Sequence, residues 1–134
     1  MNTTGSMTPR DVLTKLITDI SNDKWDHLHE LYAENTVVEH PLARDATRRL
    51  EGREALRRHF TAYAQLGRRL RARDVVWHDT TERDVVIAEF VYEGTDLGSN
   101  DHYEMAACFI WRVRDGLITH CHDYLDQPRP VNGQ

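Results

Sequence analysis

Apolar positions follow two different periods along the 134-residue chain. In roughly the first half they recur every three or four residues, which is typical of helices, and from about residue 69 onward they alternate with polar positions, which is typical of strands. The change of period predicts an α+β fold, in which helices pack on one face of an antiparallel sheet.

Three helices are predicted in the N-terminal half. The first begins after Thr8, a good N-cap, with Pro9 in the first helical position; its buried stripe consists of Val12, Leu13, Leu16, Ile17 and Ile20. Residues 21–23 end it and cap a second helix, whose stripe consists of Trp25, Leu28, Leu31 and Tyr32. The third is expected over Arg53 to Leu66, with Leu56, Phe60 and Tyr63 on its buried face.

Strands are predicted in the remaining segments. A short one, Thr36 to His40, is rich in β-branched residues and stops at Pro41, which has no N–H to donate to a ladder. Residues 41–52 are polar and predict a loop. Four longer strands, joined by short connections that favour antiparallel neighbours, are expected over residues 69–79, 84–95, 102–114 and 117–125.

Asp115-Gly116 lies between the last two strands and predicts a β-hairpin. A two-residue turn would pair Arg114 with Leu117 and Ile110 with Cys121. A three-residue turn with Gly116 as a left-handed bulge would instead pair Val113 with Leu117, Phe109 with Cys121 and Ala107 with Asp123. We favour the three-residue turn, because it requires a positive φ only at Gly116.

The hairpin register decides which side chains face the core, because a shift of one residue exchanges the two faces. The favoured register places one carboxylate in an apolar surface made of Met105, Ala107, Phe109, Trp111, Thr119, Cys121, Asp123 and Leu125. It turns the opposite set outward: Ala106, Ile110, His120, His122 and Tyr124. A carboxylate in such a surface is desolvated, which raises its pKa toward the range where a general base works best.

Length and composition favour a single domain over residues 9–126, with tails at 1–8 and 127–134. No segment has the length and hydrophobicity of a transmembrane helix or of a secretory signal, so we expect a cytoplasmic protein. Cys108 and Cys121 are expected to be reduced core residues. Residues 44–73 contain ten arginines and three acidic residues, a net charge of +7 in a chain of net charge −5.

We interpret most of this arginine-rich segment as a solvated surface. No exposed aromatic residues are interleaved with the charges as a nucleic-acid platform would require, and the chain as a whole is acidic, so a nucleic-acid partner is not expected. Because no long apolar segment is present, a membrane partner is not expected either. Binding of an anion to this surface is kept as a third hypothesis, and it predicts a steep dependence on salt concentration.

Four segments carry a family resemblance. They are Leu31 to Pro41 (LYAENTVVEHP), Glu51 to Leu56 (EGREAL), Val113 to Ile118 (VRDGLI) and His122 to Tyr124 (HDY). Together they resemble the SnoaL-like, nuclear-transport-factor-2-like superfamily over residues 9–126. The resemblance implies a cone-shaped, curved sheet around an apolar pocket, generally in a homodimer formed through the outer sheet face.

The superfamily includes ketosteroid isomerases, polyketide cyclases, limonene epoxide hydrolases and non-catalytic adaptors, so the fold does not decide the function. Its enzymes imply cofactor-free acid/base chemistry: isomerisation, aldol-type cyclisation or epoxide hydrolysis. The implied substrate is an apolar, oxygenated molecule such as a polyketide, a steroid or a terpenoid.

His40 and Asp123 are the predicted catalytic residues. His40 stands where the steroid isomerases have their proton-shuttling aspartate, and Asp123 resembles the last-strand aspartate of the cyclases and epoxide hydrolases. Other roles have no match: the oxyanion-donor positions of the isomerases correspond to Leu16 and to Cys108 or Phe109. The arginine and aspartate of the epoxide hydrolases would fall among residues 88–92, which offer only Glu89.

The predicted substrate-binding residues are Leu16, Tyr32, Phe60, Tyr63, Trp77, Phe90, Tyr92, Met105, Phe109, Trp111, Cys121 and Leu125. One of the tyrosine hydroxyls could replace the missing oxyanion donor. His120 and His122 share a strand face and could ligate zinc, but a third ligand would have to be His78, His102 or Glu104. We therefore predict no metal and no cofactor.

Two functions of different classes follow. The first is a pocket enzyme that uses Asp123 and His40 for proton transfer. The second is a non-catalytic ligand-binding or dimerisation domain, which predicts that structural hydrogen bonds occupy both residues and that side chains fill the cone. An open cone that both residues face would favour the enzyme.

Overall fold

The computed structural model describes residues 7–131 of the chain. The described part contains two α-helices, α1 (Pro9–Ser21) and α2 (Arg53–Ala64), and 3₁₀ turns at Leu28–Leu31 and Ala46–Arg48. Its strands are β1 (Tyr32–Glu39), β2 (Arg49–Glu51), β3 (Arg68–Asp79), β4 (Val85–Asp96), β5 (His102–Arg114), β6 (Leu117–Leu125) and β7 (Arg129–Pro130). The predicted terminal tails fall in part outside the described residues, at 1–6 and 132–134.

Helix α1 begins as the sequence predicts. Thr8 caps it in a reciprocal capping box: the Thr8 hydroxyl accepts from the Asp11 amide, and the Asp11 carboxylate accepts from the Thr8 amide. All five residues of the predicted apolar stripe are buried. The stripe packs against the inner face of the sheet and places Leu16 and Ile20 at the wall of a cavity.

The predicted second helix is wrong, and the structure has two α-helices in its described part instead of three. Only the 3₁₀ turn at Leu28–Leu31 forms there, and Tyr32 begins β1, where it pairs with Ile118. The apolar residues that suggested a helix lie instead in a short, buried connection between α1 and β1. Pairing with a distant strand outweighs so weak a local preference.

The sheet has the strand order β2-β1-β6-β5-β4-β3, with β7 added to β5. The four long strands pair antiparallel as predicted, but β1 lies parallel to β6, so the sheet is mixed. A tight hairpin turn forces antiparallel pairing, and no such turn joins β1 to β6. Two short strands form where the sequence predicts irregular chain: β2, inside the predicted loop at 41–52, and β7, inside the predicted tail after residue 126.

The β5–β6 turn contains two residues, and the predicted three-residue turn is wrong. Arg114 pairs with Leu117, and both Asp115 (φ 53°) and Gly116 (φ 78°) adopt the left-handed conformation. The register then shifts: Val113 pairs with Ile118, but Arg112 pairs with His120. Thr119 is therefore an extra residue in a β-bulge, and its hydroxyl donates to the Arg112 carbonyl.

This bulge restores the side-chain faces that the sequence predicts. Phe109 pairs with Asp123, Trp111 with Cys121 and Ala107 with Leu125, all directed toward the helices. The buried position that Thr119 was predicted to fill belongs to Ile118. His120, His122 and Tyr124 lie on the outer face. Both cysteines are free thiols: Cys121 is buried in the core as predicted, but Cys108 is only half-buried, on the outer face, so its predicted core position is wrong.

Helix α1 covers β3 to β6, and α2 covers β1 and the 3₁₀ turn before it. The buried apolar residues of both helices and of the inner sheet face form a continuous core. No helix in the described part is long and apolar enough to cross a membrane. At one end of the core the side chains leave a cavity.

Candidate functional site

A cavity lies between the helices and the inner face of the sheet. It has a volume of about 80 Å³ and is narrow, because aromatic side chains line it. Its lining includes nine of the twelve predicted substrate-binding residues: Leu16, Tyr32, Phe60, Tyr63, Tyr92, Met105, Phe109, Trp111 and Leu125. Both predicted catalytic residues, His40 and Asp123, line it as well.

Three predicted lining residues do not border the cavity. Phe90 and Cys121 are fully packed in the core beside it. Trp77 lies on β3 away from the cavity, where the Arg10 guanidinium stacks over its indole ring. Sequence reasoning missed a further set of lining residues: Ile20, Trp25, Val38, Leu56, His59 and Leu70.

Asp123 is a buried carboxylate with one structural partner. The Trp111 indole N–H donates to its Oδ1 at 2.6 Å across neighbouring strands. Within residues 7–131 no hydrogen bond reaches Oδ2. Burial raises the pKa of Asp123 from 3.8 to about 6, although His40 and the bond from Trp111 both pull it down. The carboxylate can therefore both take and release a proton near neutral pH.

His40 stands at the end of β1, immediately before Pro41. Its Nδ1 lies 2.7 Å from the Thr47 carbonyl, and because a carbonyl only accepts, Nδ1 carries a hydrogen. In the neutral ring Nε2 therefore holds the free lone pair. The Thr47 segment is itself anchored, because the Asp45 side chain accepts from the Thr47 amide.

The two predicted catalytic residues face each other. His40 Nε2 lies 3.7 Å from Asp123 Oδ2, which is too far for a direct hydrogen bond. An oxygen atom of a bound molecule can nevertheless lie within hydrogen-bonding distance of both atoms. The pair is thus arranged to act on a group between its members.

His59 is the titratable residue that sequence reasoning missed. It lies on α2 with its ring centroid 5.8 Å from that of His40, and it also contacts Phe60 and Tyr63. Burial, assisted by the nearby charge of His40, lowers the pKa of His59 to about 4, so the ring is neutral near pH 7. Its helical spacing from Leu56 and Tyr63 was a signal that could have identified it.

Three tyrosines line the cavity as protonated hydroxyls. Burial raises the pKa of Tyr63 to about 12 and raises those of Tyr32 and Tyr92 further. The Asp123 charge adds to the shift at Tyr32 and Tyr92, which therefore lie within its electrostatic reach. The Tyr63 hydroxyl interacts with Arg68 and Tyr103, so Tyr32 and Tyr92 are the better placed donors to a ligand oxygen.

The cavity opens into a wider outer pocket. The two spaces share His40, His59, Tyr63, Asp123 and Leu125, which thus form the neck between them. The outer pocket has a more polar rim, supplied by residues 42–47 and by the segment after β6. A ligand would pass the titratable groups of the neck before its apolar part enters the cavity.

No residue of the 88–92 segment supplies the arginine or the aspartate of the epoxide hydrolases. Glu89, the acidic residue of the 88–92 segment, points out of the cavity and contacts His78 at 2.6 Å.

Several side chains of the arginine-rich segment are held in ion pairs with acidic residues: Arg49 with Glu39 and Glu51, Arg57 with Glu54, Arg69 and Arg71 with Asp23, and Arg73 with Asp74, Glu93 and Glu104.

His120 and His122 lie outside the cavity, on the outer sheet face. Their neighbour there is Glu39 on β1, and the three side chains are close enough to share a metal ion. None of the third ligands considered from the sequence, His78, His102 and Glu104, belongs to this cluster.

Comparisons with known proteins agree with this fold. A family model described as the SnoaL-like domain matches residues 13–121. No curated protein matches the chain. Among solved structures, a presumed isomerase from Bacillus subtilis has 24% sequence identity and a TM-score of 0.80, with 88% of this chain and 86% of that one covered.

Two further structures share the fold at lower identity. A presumed polyketide cyclase from Xanthomonas campestris pv. campestris is 22% identical, with a TM-score of 0.72 over 87% of this chain and 88% of that one. SalBIII, an epoxide hydrolase/cyclase-like enzyme of pyran ring formation in salinomycin, is 16% identical, with a TM-score of 0.71 over 89% of this chain and 91% of that one. Because the family model covers most of the sequence, the chain belongs to the SnoaL-like domain family.

Proposed function

We propose that this protein is an enzyme that transfers protons on an apolar, oxygenated small molecule without a cofactor. The observation that carries the proposal is the pair of unbonded atoms at the cavity neck, His40 Nε2 and Asp123 Oδ2, 3.7 Å apart. Each residue is oriented by a bond to its other polar atom, so both free atoms are directed at the space between them.

The chemistry begins with Asp123 as the base. Its pKa of about 6 keeps it mostly ionised at pH 7 and basic enough to accept a proton from a carbon next to a carbonyl. His40 Nε2, when protonated, returns a proton to another position of the substrate. The substrate neither gains nor loses a proton overall, but the two transfers leave Asp123 protonated and His40 neutral. A proton must then pass from Asp123 Oδ2 to His40 Nε2, across the 3.7 Å that separates them, to restore both residues for the next turnover.

Negative charge that develops on the substrate oxygen requires a donor. The hydroxyls of Tyr32, Tyr63 and Tyr92 line the cavity and stay protonated, because burial holds their pKa values high. A donor directed at such an oxygen contributes about 3 kcal/mol to lowering the barrier. One tyrosine in contact with that oxygen thus replaces the donors that the sequence lacks at Leu16 and Cys108.

The related structures support a substrate class rather than a substrate. Two of them are named for oxygenated carbon skeletons, a polyketide and a pyran ring, and the third is named only as an isomerase. The apolar lining of the cavity fits such a skeleton, and the polar neck fits its oxygen-bearing end.

A non-catalytic binding domain is the second candidate. Two observations favour it: the bonds Trp111–Asp123 and His40–Thr47 have a structural role, and a computationally designed 17-OHP binder has the same fold, with 19% identity and a TM-score of 0.73. This function predicts that ligand binding is not accompanied by proton transfer at Asp123.

Deuterium exchange separates the two functions without knowledge of the product. A panel of apolar cyclic ketones is incubated with the protein in D₂O, and exchange next to the carbonyl is followed by NMR. The enzyme hypothesis predicts exchange with at least one ketone and a loss of about 100-fold or more in Asp123→Asn. Asp101→Asn, at an exposed carboxylate outside the cavity, is the matched control and should exchange at the wild-type rate.

The opposite result would favour the binding function. If ketones bind with the same affinity to the wild type and to Asp123→Asn and neither protein exchanges deuterium, the proton-transfer assignment is wrong and the binding function stands.

A further inference from the structure

The outer face of the sheet carries a cluster of three potential metal ligands. His120 and His122 lie two residues apart on β6, so both side chains point to the same face. Glu39 on β1 is paired with His122 in the parallel β1–β6 ladder. The cluster forms only because β1 lies beside β6, which the sequence did not predict.

We propose that Glu39, His120 and His122 bind one divalent transition-metal ion of the zinc class. Two imidazole nitrogens and one carboxylate oxygen are a ligand set that Zn²⁺ accepts, with water completing the coordination. The one ligand atom from each residue lies within 4.8 Å of the other two. This site is independent of the cavity, because it lies on the opposite face of the sheet.

The distances fit a shared ion. Glu39 Oε1 lies 3.6 Å from His122 Nε2, and Glu39 Oε2 lies 3.8 Å from His120 Nε2. Ligand atoms about 2.0–2.2 Å from a tetrahedral zinc are separated by about 3.4 Å. Both measured separations are within about 0.4 Å of this value, so small side-chain rotations would bring the ligand atoms within range of one ion.

Neighbouring groups orient the ligands. Arg49 donates to Glu39 Oε2 at 2.8 Å, which holds the carboxylate and leaves Oε1 toward His122. A hydrogen bond of this kind to a ligating carboxylate is a common support of metal sites. The His120 and His122 rings meet edge to face with centroids 5.1 Å apart, and Tyr124 packs against His122.

In the single chain the cluster is open to solvent. The side chains of His120, His122 and Glu39 are 45%, 39% and 30% exposed. Its other charged neighbour is Arg112, which is paired with His120 across the strands and directs its guanidinium to Glu82. Arg49 and Arg112 are the cations that an incoming metal must tolerate, and both are held by carboxylates.

The test uses the full chain without a polyhistidine tag and Zn²⁺ as the probe. Calorimetric titration at pH 7.5 should give one ion per chain. The double variant His120→Gln/His122→Gln should bind at least about 100-fold more weakly, because only one ligand remains. The control His78→Gln/His102→Gln removes two other outward imidazoles and should bind like the wild type.

The melting temperature and the absorption spectrum with Co²⁺ test the same site in two further ways. Zn²⁺ should raise the melting temperature of the wild type and of the control but not that of His120→Gln/His122→Gln, since an ion that binds only the folded state stabilises it. Co²⁺ in place of Zn²⁺ should give visible absorption that the same double variant loses. The absence of saturable binding, or equal binding by both double variants, would overturn the proposal.

Discussion

Trp111 donates its indole N–H to Asp123 at 2.6 Å, in the buried wall of the cavity. The two residues are diagonal neighbours on β5 and β6, so the hairpin register alone brings them together. This bond fixes one carboxylate oxygen and leaves the other facing His40. It also partly offsets the free-energy cost of burying the charge. The carboxylate therefore still destabilises the fold when ionised, while its free oxygen is available for reaction.

Replacing Asp123 with Asn should stabilise the fold at neutral and alkaline pH. The folded pKa, about 6, exceeds the ordinary value of 3.8, so the folded state favours the protonated carboxyl. Its contribution to stability is present below pH 4 and is lost as the pH rises through 6, by about 1–3 kcal/mol. Urea denaturation at pH 4, 6 and 8 measures this: the advantage of Asp123→Asn should grow with pH. An advantage that is the same at all three pH values would contradict it.

Removing the Trp111 donor should raise the pKa of Asp123 further. The bond from Trp111 lowers that pKa against the effect of burial, so Trp111→Phe removes a stabiliser of the charged form. The carboxyl ¹³C shift of Asp123, followed by NMR through a pH titration, reports the pKa directly and needs no substrate.

Trp77→Phe is the matched control for this titration, because the Trp77 indole packs under Arg10 away from the carboxylate. It should leave the pKa unchanged. An Asp123 that titrates at the same pH in Trp111→Phe as in the wild type would show that the bond does not tune it.

His59 should make the fold sensitive to acid. Its folded pKa of about 4 lies below the ordinary 6.5, so its contribution to stability is present above pH 6.5 and is lost as the pH falls toward 4. The full effect is about 2–3 kcal/mol. His59→Gln should therefore lose less free energy of unfolding than the wild type between pH 7 and pH 4. His102→Gln, at an exposed position on β5, should lose as much as the wild type.

The hairpin turn should tolerate change at one position and not at the other. Gly116, at φ 78°, adopts a conformation that side chains with a Cβ disfavour, so Gly116→Ala should cost about 1 kcal/mol. Asp115→Asn should be nearly neutral, because Asn adopts the left-handed conformation readily. The midpoints of urea denaturation measure both. Equal losses in the two variants would indicate that the turn does not adopt this conformation in solution.

The sequence by itself determined the features that depend on local periodicity. The first helix, the four long strands and the inward face of Asp123 follow from spacing and parity, which act over a few residues. Parity survived even the wrong turn, because the extra residue at Thr119 shifts the register back to the same faces. Parity placed Asp123 on the inner face, whereas the choice of His40 and Asp123 as catalytic residues came from the family resemblance.

Only the tertiary structure decided what depends on distant pairing. Tyr32 belongs to a strand rather than a helix because Ile118 lies beside it, and Glu39 meets His122 because β1 runs parallel to β6. His59 has the spacing of the buried face of α2, but only the packing of α2 beside His40 makes it part of the site. These relationships join segments far apart in the chain, where the energy of packing and strand pairing, rather than local propensity, selects the arrangement.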